Sequence, residues 1–315
     1  MRRFSWAAFV LVACSSPSAS TSHAPDAGPI HIVLAENDWD GARLDVAIVR
    51  ILLTEHLGYV VDAVKIDGTA QYPEIAAGRI HASLEVWPSG HEPDFAAYLD
   101  TGKVERGGAL GPIGKVSWYV PTYLLETYPQ LATWKGFQDP AMVDLFRTPE
   151  SGIKGRFLDG PEGWGAYDDQ IIANLKLDFA VVHASSEESL LAELDREYGK
   201  RSPVLFYFWT PHAAHVKYDL TAIELPPYTD ACYAKEHSGG IDCDYPTERL
   251  FKIFWPGLKT LAPRAYSLLS RFTYTTKDQI ELLAKIDFDK VTVEQAARGW
   301  VDTHQTEWGG WIDGK

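Results

Sequence analysis

Residues 80–91 read IHASLEVWPSGH: an apolar and small-residue run, Ile80 to Val86, that delivers Trp87 and Pro88 and then, after Ser89 and Gly90, His91. The run reads as a buried strand ending in a Trp-Pro turn. An indole at a strand end, with a hydrogen-bond donor four residues on, suits a small cation that also carries a carboxylate. The ring quadrupole attracts the cation by about 0.5–1 kcal/mol when exposed and about 2 when desolvated, and an imidazole can donate to the anionic end. A single Trp after a strand is ordinarily core. Here two similar stretches recur, Gly163-Trp164-Gly165-Ala166 and Phe208-Trp209-Thr210-Pro211-His212.

Upstream of this stretch the pattern alternates. Ile30 to Ala35 reads as a first buried strand, and Glu36 to Trp39 as a loop. An amphipathic helix from Asp40 to about His56 follows, with Ala42, Val46, Val49 and Leu53 on one stripe and Gly58 at its stop. Tyr59–Ile66 reads as a second strand and Tyr72–Ala77 as a short helix. A β-α-β-α-β order predicts an α/β fold with a parallel sheet covered by helices. In such sheets ligands sit beyond the carboxyl ends of the strands, where both Trp39 and Trp87 stand.

Downstream, Val116–Val120 closes at Pro121 and reads as the strand crossing into a second lobe. Tyr123–Tyr128 and Pro140–Phe146 read as helices. Arg156–Leu158 runs into the turn Asp159-Gly160-Pro161-Glu162-Gly163-Trp164-Gly165, and Tyr167–Leu175 is then a helix whose N-terminus points at that turn. Its free N–H groups offer an anion site, and a plain tight connection explains the glycines equally well. Ser185-Ser186-Glu187-Glu188 opens a helix as a capping box, and Val204–Phe208 is a strand that delivers Trp209. After Asp219-Leu220 the chain is expected to return to the first lobe and to be mostly helical, over Pro263–Ser270, Lys277–Lys285 and Val293–His304.

Composition narrows the classes. A chain of 315 residues, 46% hydrophobic, can bury two cores. A formal net charge of −14 argues against a nucleic-acid or anionic-membrane partner. Eleven tryptophans leave several free for a binding site. No apolar run is long enough to span a bilayer. The N-terminus, with Arg2 and Arg3 before an apolar stretch from Phe4 to Val12, reads as an export signal. Its end, Leu11-Val12-Ala13-Cys14, has the form of a bacterial lipobox, so residues 1–13 are expected to be removed and Cys14 lipidated. Residues 14–29 have the composition of a flexible tether.

In an exported protein the remaining pair, Cys232 and Cys243, reads as a disulfide. The rival is a metal site with His237, whose spacing matches no common zinc pattern. A catalytic reading finds no footing: paired carboxylates, a Gly-x-Ser-x-Gly turn, a His-Glu-x-x-His helix and a phosphate loop are all missing from the sequence. No enzyme activity, cofactor or metal is expected. His212 and His215 read as surface or lobe-contact residues.

In this order the marks resemble a known family. Leu57-Gly58-Tyr59, Ala77-Gly78, Trp87-Pro88 with His91, Gly163-Trp164-Gly165, Trp209-Thr210-Pro211 and the tail Gly299-Trp300-Val301 through Gly310-Trp311-Ile312 are similar to those of ABC-importer substrate-binding proteins for glycine betaine and proline betaine. The resemblance implies a type II periplasmic-binding fold, with lobe I at 30–115 plus 216–315, lobe II at 116–215, and ligand between them. It further implies a cage of Trp87, Trp164 and Trp209 around a quaternary ammonium, with His91 and the amides of Gly165 and Ala166 on the carboxylate. Members of the closest pattern often carry a cysteine where Ala166 stands here. Another branch has a cage tryptophan after the first strand, so Trp39 is a fourth candidate, lining the cage or lidding it. The implied ligand is glycine betaine, proline betaine or, alternatively, choline or carnitine. The implied partner is an ABC permease in the inner membrane, met by a monomer held at the membrane only through its lipid. A sensory lipoprotein of the same fold is the other reading.

Overall fold

The computed structural model describes residues 28–313; the expected export signal, Cys14 and most of the expected tether lie outside the described residues. Nine strands form one continuous sheet: β1 (His31–Glu36), β2 (Val60–Lys65), β3 (Ala82–Val86), β4 (Glu105–Pro121), β5 (Gly155–Asp159), β6 (Phe179–His183), β7 (Leu205–Thr210), β8 (Leu220–Ala222) and β9 (Thr247–Phe254). Their order is β2-β1-β3-β9-β4-β7-β5-β6, with β8 paired to β4. At one end β1 lies parallel to β2 and β3; at the other β5 lies parallel to β6 and β7.

The two ends of this arrangement are joined through β4. Its first half pairs antiparallel with β9 and its second half with β7 and β8. Two main cores flank it. One gathers Leu34, Leu44, Ile48, Leu52, Leu84, Leu250, Phe254 and the helices after residue 258. The other gathers Trp118, Phe137, Phe157, Ile171, Leu190, Phe206 and Phe208. Ile223, Leu225, Tyr233, Ile241 and Tyr245 also pack in the second core, although the sequence reading returned the chain to the first lobe at 216; the return we propose is β9.

Helix α1 (Asp40–Leu57) forms where the apolar stripe requires it. It buries Leu44, Ile48, Leu52 and Leu53 and stops at Gly58, whose φ of 74° is the left-handed conformation glycine adopts at least cost. Among the described residues no helix is long and apolar enough to cross a membrane.

One expectation is corrected and one element was not foreseen. The helices expected after residue 219 stand at Pro263–Arg271, Thr276–Asp287 and Val293–Thr303, but β9, inside the sheet, has no counterpart in the sequence reading; Glu248, Arg249 and Lys252 break its apolar pattern, and Lys252 is buried with its ammonium on the carbonyls of Ser270 and Phe272. β4 begins at Glu105 rather than Val116. Its first half carries Gly107, Gly108, Gly111 and Gly114 and two register shifts, and glycines depress the strand signal wherever they make room for close neighbours. A Cβ on Gly111 would lie 2.0 Å from the Tyr274 carbonyl oxygen.

Candidate functional site

A cavity between the two cores is lined by Trp39, Gln71, Glu85, Trp87, Ser89, His91, Val116, Trp164, Gly165, Tyr207, Trp209, Tyr245 and Glu248. Strand ends deliver most of the indoles. Trp39 follows β1 and is the extended N-cap residue of α1. Trp87 follows β3. Trp164 closes a 3₁₀ turn after β5, and Trp209 sits near the end of β7. Of the residues singled out from sequence, Ala166 alone of this set is off the lining; it is exposed, with its backbone nitrogen 3.3 Å from where a Cβ on Gly90 would stand.

The rings meet edge to face. Trp39 and Trp164 have centroids 5.9 Å apart, and Trp164 and Trp209 5.3 Å. Such pairs add about 0.5–1.5 kcal/mol beyond the area they bury. The Trp87 ring lies flat against β4, where a Cβ on Gly114 would sit 2.4 Å from it; the Trp164 ring leans on Gly160 in the same manner at 2.5 Å. Glycine is the residue that lets each indole lie that close to backbone. The Trp164 Nε1–H is buried without a partner.

The indoles of Trp39 and Trp87 are fixed by one carboxylate. Glu85 Oε1 accepts both Nε1–H groups, at 2.8 and 2.9 Å, and Oε2 accepts from Gln279 Nε2 at 2.8 Å. Burial raises the Glu85 carboxyl above its ordinary range while the N–H donors of Trp87, Trp39 and Gln279 pull it back. Asp45 beside it is driven well up by burial and by the Glu85 charge.

Apart from Val116, the rest of the wall carries polar groups. Buried His91 has Nδ1 3.3 Å from Asp94 Oδ2 and packs on Tyr72. Glu248, on β9, accepts the Ser89 N–H at 2.5 Å, and burial lifts its carboxyl to about 7. The Tyr245 hydroxyl donates to Asp168 and accepts from the Tyr167 amide, both at 2.9 Å. The Gly165 amide points back to the Glu162 carbonyl at 3.4 Å. Lining residues include no Lys or Arg.

Across the cavity mouth the cores touch. A Cβ on Gly90 would fall 2.6 Å from the Gly165 carbonyl oxygen, and one on Gly163 would fall 2.7 Å from the Asp67 carboxyl. The Asp40 N–H donates to Glu187 Oε2 at 2.7 Å. Glu187 Oε1 meets buried His212 Nε2 at 2.7 Å; because His212 Nδ1 accepts the Ala214 N–H, Nε2 is the donor. His212 is thus a buried group at the lobe contact rather than a surface one. Cys232 and Cys243 are joined by a disulfide, Cα–Cα 6.5 Å.

Glu85, Glu248, Gln71, Tyr207 and Tyr245 were not found from sequence. An acid inside the strand-like run Ile80–Val86 was the one local signal, for Glu85.

Comparison with known proteins supplies the context. Residues 30–303 match the family model of the substrate-binding domain of ABC-type glycine betaine transport systems. The trimethylamine N-oxide-binding protein of Pelagibacter ubique (strain HTCC1062) is 30% identical over 285 residues, spanning 88% of this chain and 89% of that one. Among solved structures, lactococcal OpuAC in its closed form with glycine betaine is similar at TM-score 0.69 and 22% identity, over 90% of this chain and 99% of that one. An ABC-transporter choline-binding protein with choline is similar at 0.72 and 22%, over 90% and 92%. The fold is that of the type II periplasmic-binding proteins.

Proposed function

The chain belongs to the family of substrate-binding domains of ABC-type glycine betaine transport systems, and on that footing we propose that it captures a compact trimethylammonium solute in a cage of Trp39, Trp87, Trp164 and Trp209. Members of this family bind a ligand for transport and are not enzymes. The observation that carries the reading is the convergence of four indoles on one cavity that presents no cationic side chain. Such a wall favours a bulky, weakly hydrated cation, because it gives no strong hydrogen bond in exchange for those an ammonium loses to water. Four faces at about 1–2 kcal/mol each, with charge-assisted bonds to the oxygen end and burial of the methyl groups set against the cost of ordering, are the terms of a capture expected near micromolar, about −8 kcal/mol.

Trimethylamine N-oxide is the ligand we place first and glycine betaine second. The relative with 30% identity is named for the N-oxide. Two features of the wall favour a single small oxygen over a full carboxylate: Glu85 and Glu248 already line the cavity, and the Gly165 amide is turned to Glu162. His91 and Ser89 remain as partners for the oxygen end. Choline, which carries a hydroxyl, is the third candidate.

Ligand bridging the two lobes stabilises the closed form, a hinge-type closure. An inner-membrane ABC permease would then receive the closed monomer. The export signal and the lipid on Cys14 belong to the same proposal, and loss of fatty-acid labelling in Cys14→Ser tests it.

Tryptophan fluorescence of the purified protein, titrated with trimethylamine N-oxide, glycine betaine, choline, dimethylglycine and glycine, tests the capture. Tight binding is expected for at least one trimethylated compound and an affinity at least about tenfold weaker for its less methylated relatives. Equal affinity for glycine and the trimethylated set would refute the cage.

A further inference from the structure

We propose that Glu85 is the counter-charge of the cage, the residue that makes it prefer a positively charged methylated head over a neutral one of the same shape. The inference rests on the trimethylammonium reading above. Glu85 is 2% exposed, and three N–H donors reach its carboxylate, Trp39 and Trp87 on Oε1 and Gln279 on Oε2; the buried Asp45 carboxyl also lies against it. An indole N–H cannot accept a proton in return, so both bonds to Oε1 are compatible with the carboxylate.

Helix α1 adds to this. A Cβ on Gly41, in the first turn of α1, would lie 2.7 Å from Glu85 Oε2 and 3.0 Å from Oε1. The carboxylate therefore nests against the N-terminal turn of an 18-residue helix, where the macrodipole favours negative charge. Lys252, the buried ammonium of β9, is held by the carbonyls of Ser270 and Phe272, and its charge couples to Asp45. On this proposal Glu85 holds its negative charge directly behind two rings of the cage and on the cavity wall itself. In a medium of low effective dielectric a full charge at this range outweighs a ring quadrupole. The indoles supply shape and a face for methyl groups; Glu85 supplies the sign.

The test compares each trimethylammonium compound with its neutral-headed carbon isostere: trimethylamine N-oxide with tert-butanol, glycine betaine with 3,3-dimethylbutanoate, and choline with 3,3-dimethylbutan-1-ol. Affinities are measured on the unaltered protein and on Glu85→Gln, which keeps one oxygen acceptor for the indoles and removes the charge. The expected result is that the ratio of charged to neutral affinity falls about tenfold or more in the variant, while the isostere binds as before within about threefold. An equal loss for both members of a pair would make Glu85 a scaffold for the rings only and overturn the proposal. An unchanged ratio would overturn it too. Failure of the unaltered protein to bind any trimethylammonium compound would instead sink the cage reading, and this inference with it. If Glu85→Gln does not fold, the ¹³C carboxyl resonance of Glu85 in the labelled parent decides: an ionised carboxylate at neutral pH is expected, and a protonated one overturns the proposal.

Discussion

Trp39 and Trp164 meet edge to face across the cleft, their ring centroids 5.9 Å apart and their planes at 81°. One follows the first strand and the other closes a turn after β5, so on the proposed reading Trp39 is wall and lid at once. Its Nε1–H is anchored on Glu85 while its ring edge engages the opposite lobe.

Trp39→Ala is expected to weaken trimethylammonium binding about ten- to a hundredfold, comparable with Trp87→Ala, since each removes one cation–π face and the packing around it. Calorimetric titration of both variants checks this. An unchanged dissociation constant for Trp39→Ala would place that residue outside the cage.

Much of the frame was legible because apolar runs bounded by turns are the strongest signal a sequence carries. β1, β2, β3 and α1 fall within a residue or two of their expected bounds. β9 was hidden for a physical reason: Glu248, Arg249 and Lys252 interrupt its apolar pattern, and the partners of Glu248 and Lys252 lie far along the chain. The four indoles were visible as aromatics at strand ends. Glu85 was not, because its bonds reach Trp39, 46 residues back, and Gln279, 194 residues on. Pairings at such separations leave no local trace. The amides of Gly165 and Ala166 posed the opposite difficulty: a backbone donor is present at every residue, and only the turn decides where it points.

The Asp40–Glu187 contact permits a clean test of closure. Asp40 is the first residue of α1, where proline is well tolerated, and Trp39 before it is already extended, as a residue preceding proline must be. Asp40→Pro deletes the N–H that crosses to Glu187, with Asp40→Asn as the control for the lost carboxylate. We expect Asp40→Pro to keep the parent melting temperature without ligand and to bind about tenfold more weakly than Asp40→Asn, the worth of one charge-assisted bond. Equal affinities for the two variants would show that this bond contributes nothing to the closed form.

Glu248 gives a dependence on pH. Burial raises its carboxyl from an ordinary 4.5 to about 7. A carboxyl raised in the folded state adds stability that is fully present below 4.5 and is lost as pH climbs through about 7. Glu248→Gln keeps an acceptor for the Ser89 amide and cannot ionise. Relative to the parent it should gain about 2–3 kcal/mol between pH 4.5 and 8. Urea denaturation across that range measures the difference, and parallel curves would contradict the assignment.

The Cys232–Cys243 bridge closes a short loop packed in the second core. Neither cysteine lines the cavity. Replacing both by serine should cost about 2–3 kcal/mol of stability on the chain-entropy model and leave ligand affinity within about threefold. Loss of binding in a variant that still folds would tie this loop to the site.

The most direct measurement is a crystal structure of the protein with trimethylamine N-oxide or glycine betaine. The methylated nitrogen should stand within about 6 Å of the ring centroids of Trp39, Trp87, Trp164 and Trp209, with its oxygen end toward His91 and Ser89. A ligand seated in another cavity, or seated here with its methyl groups turned away from the indoles, would contradict the cage.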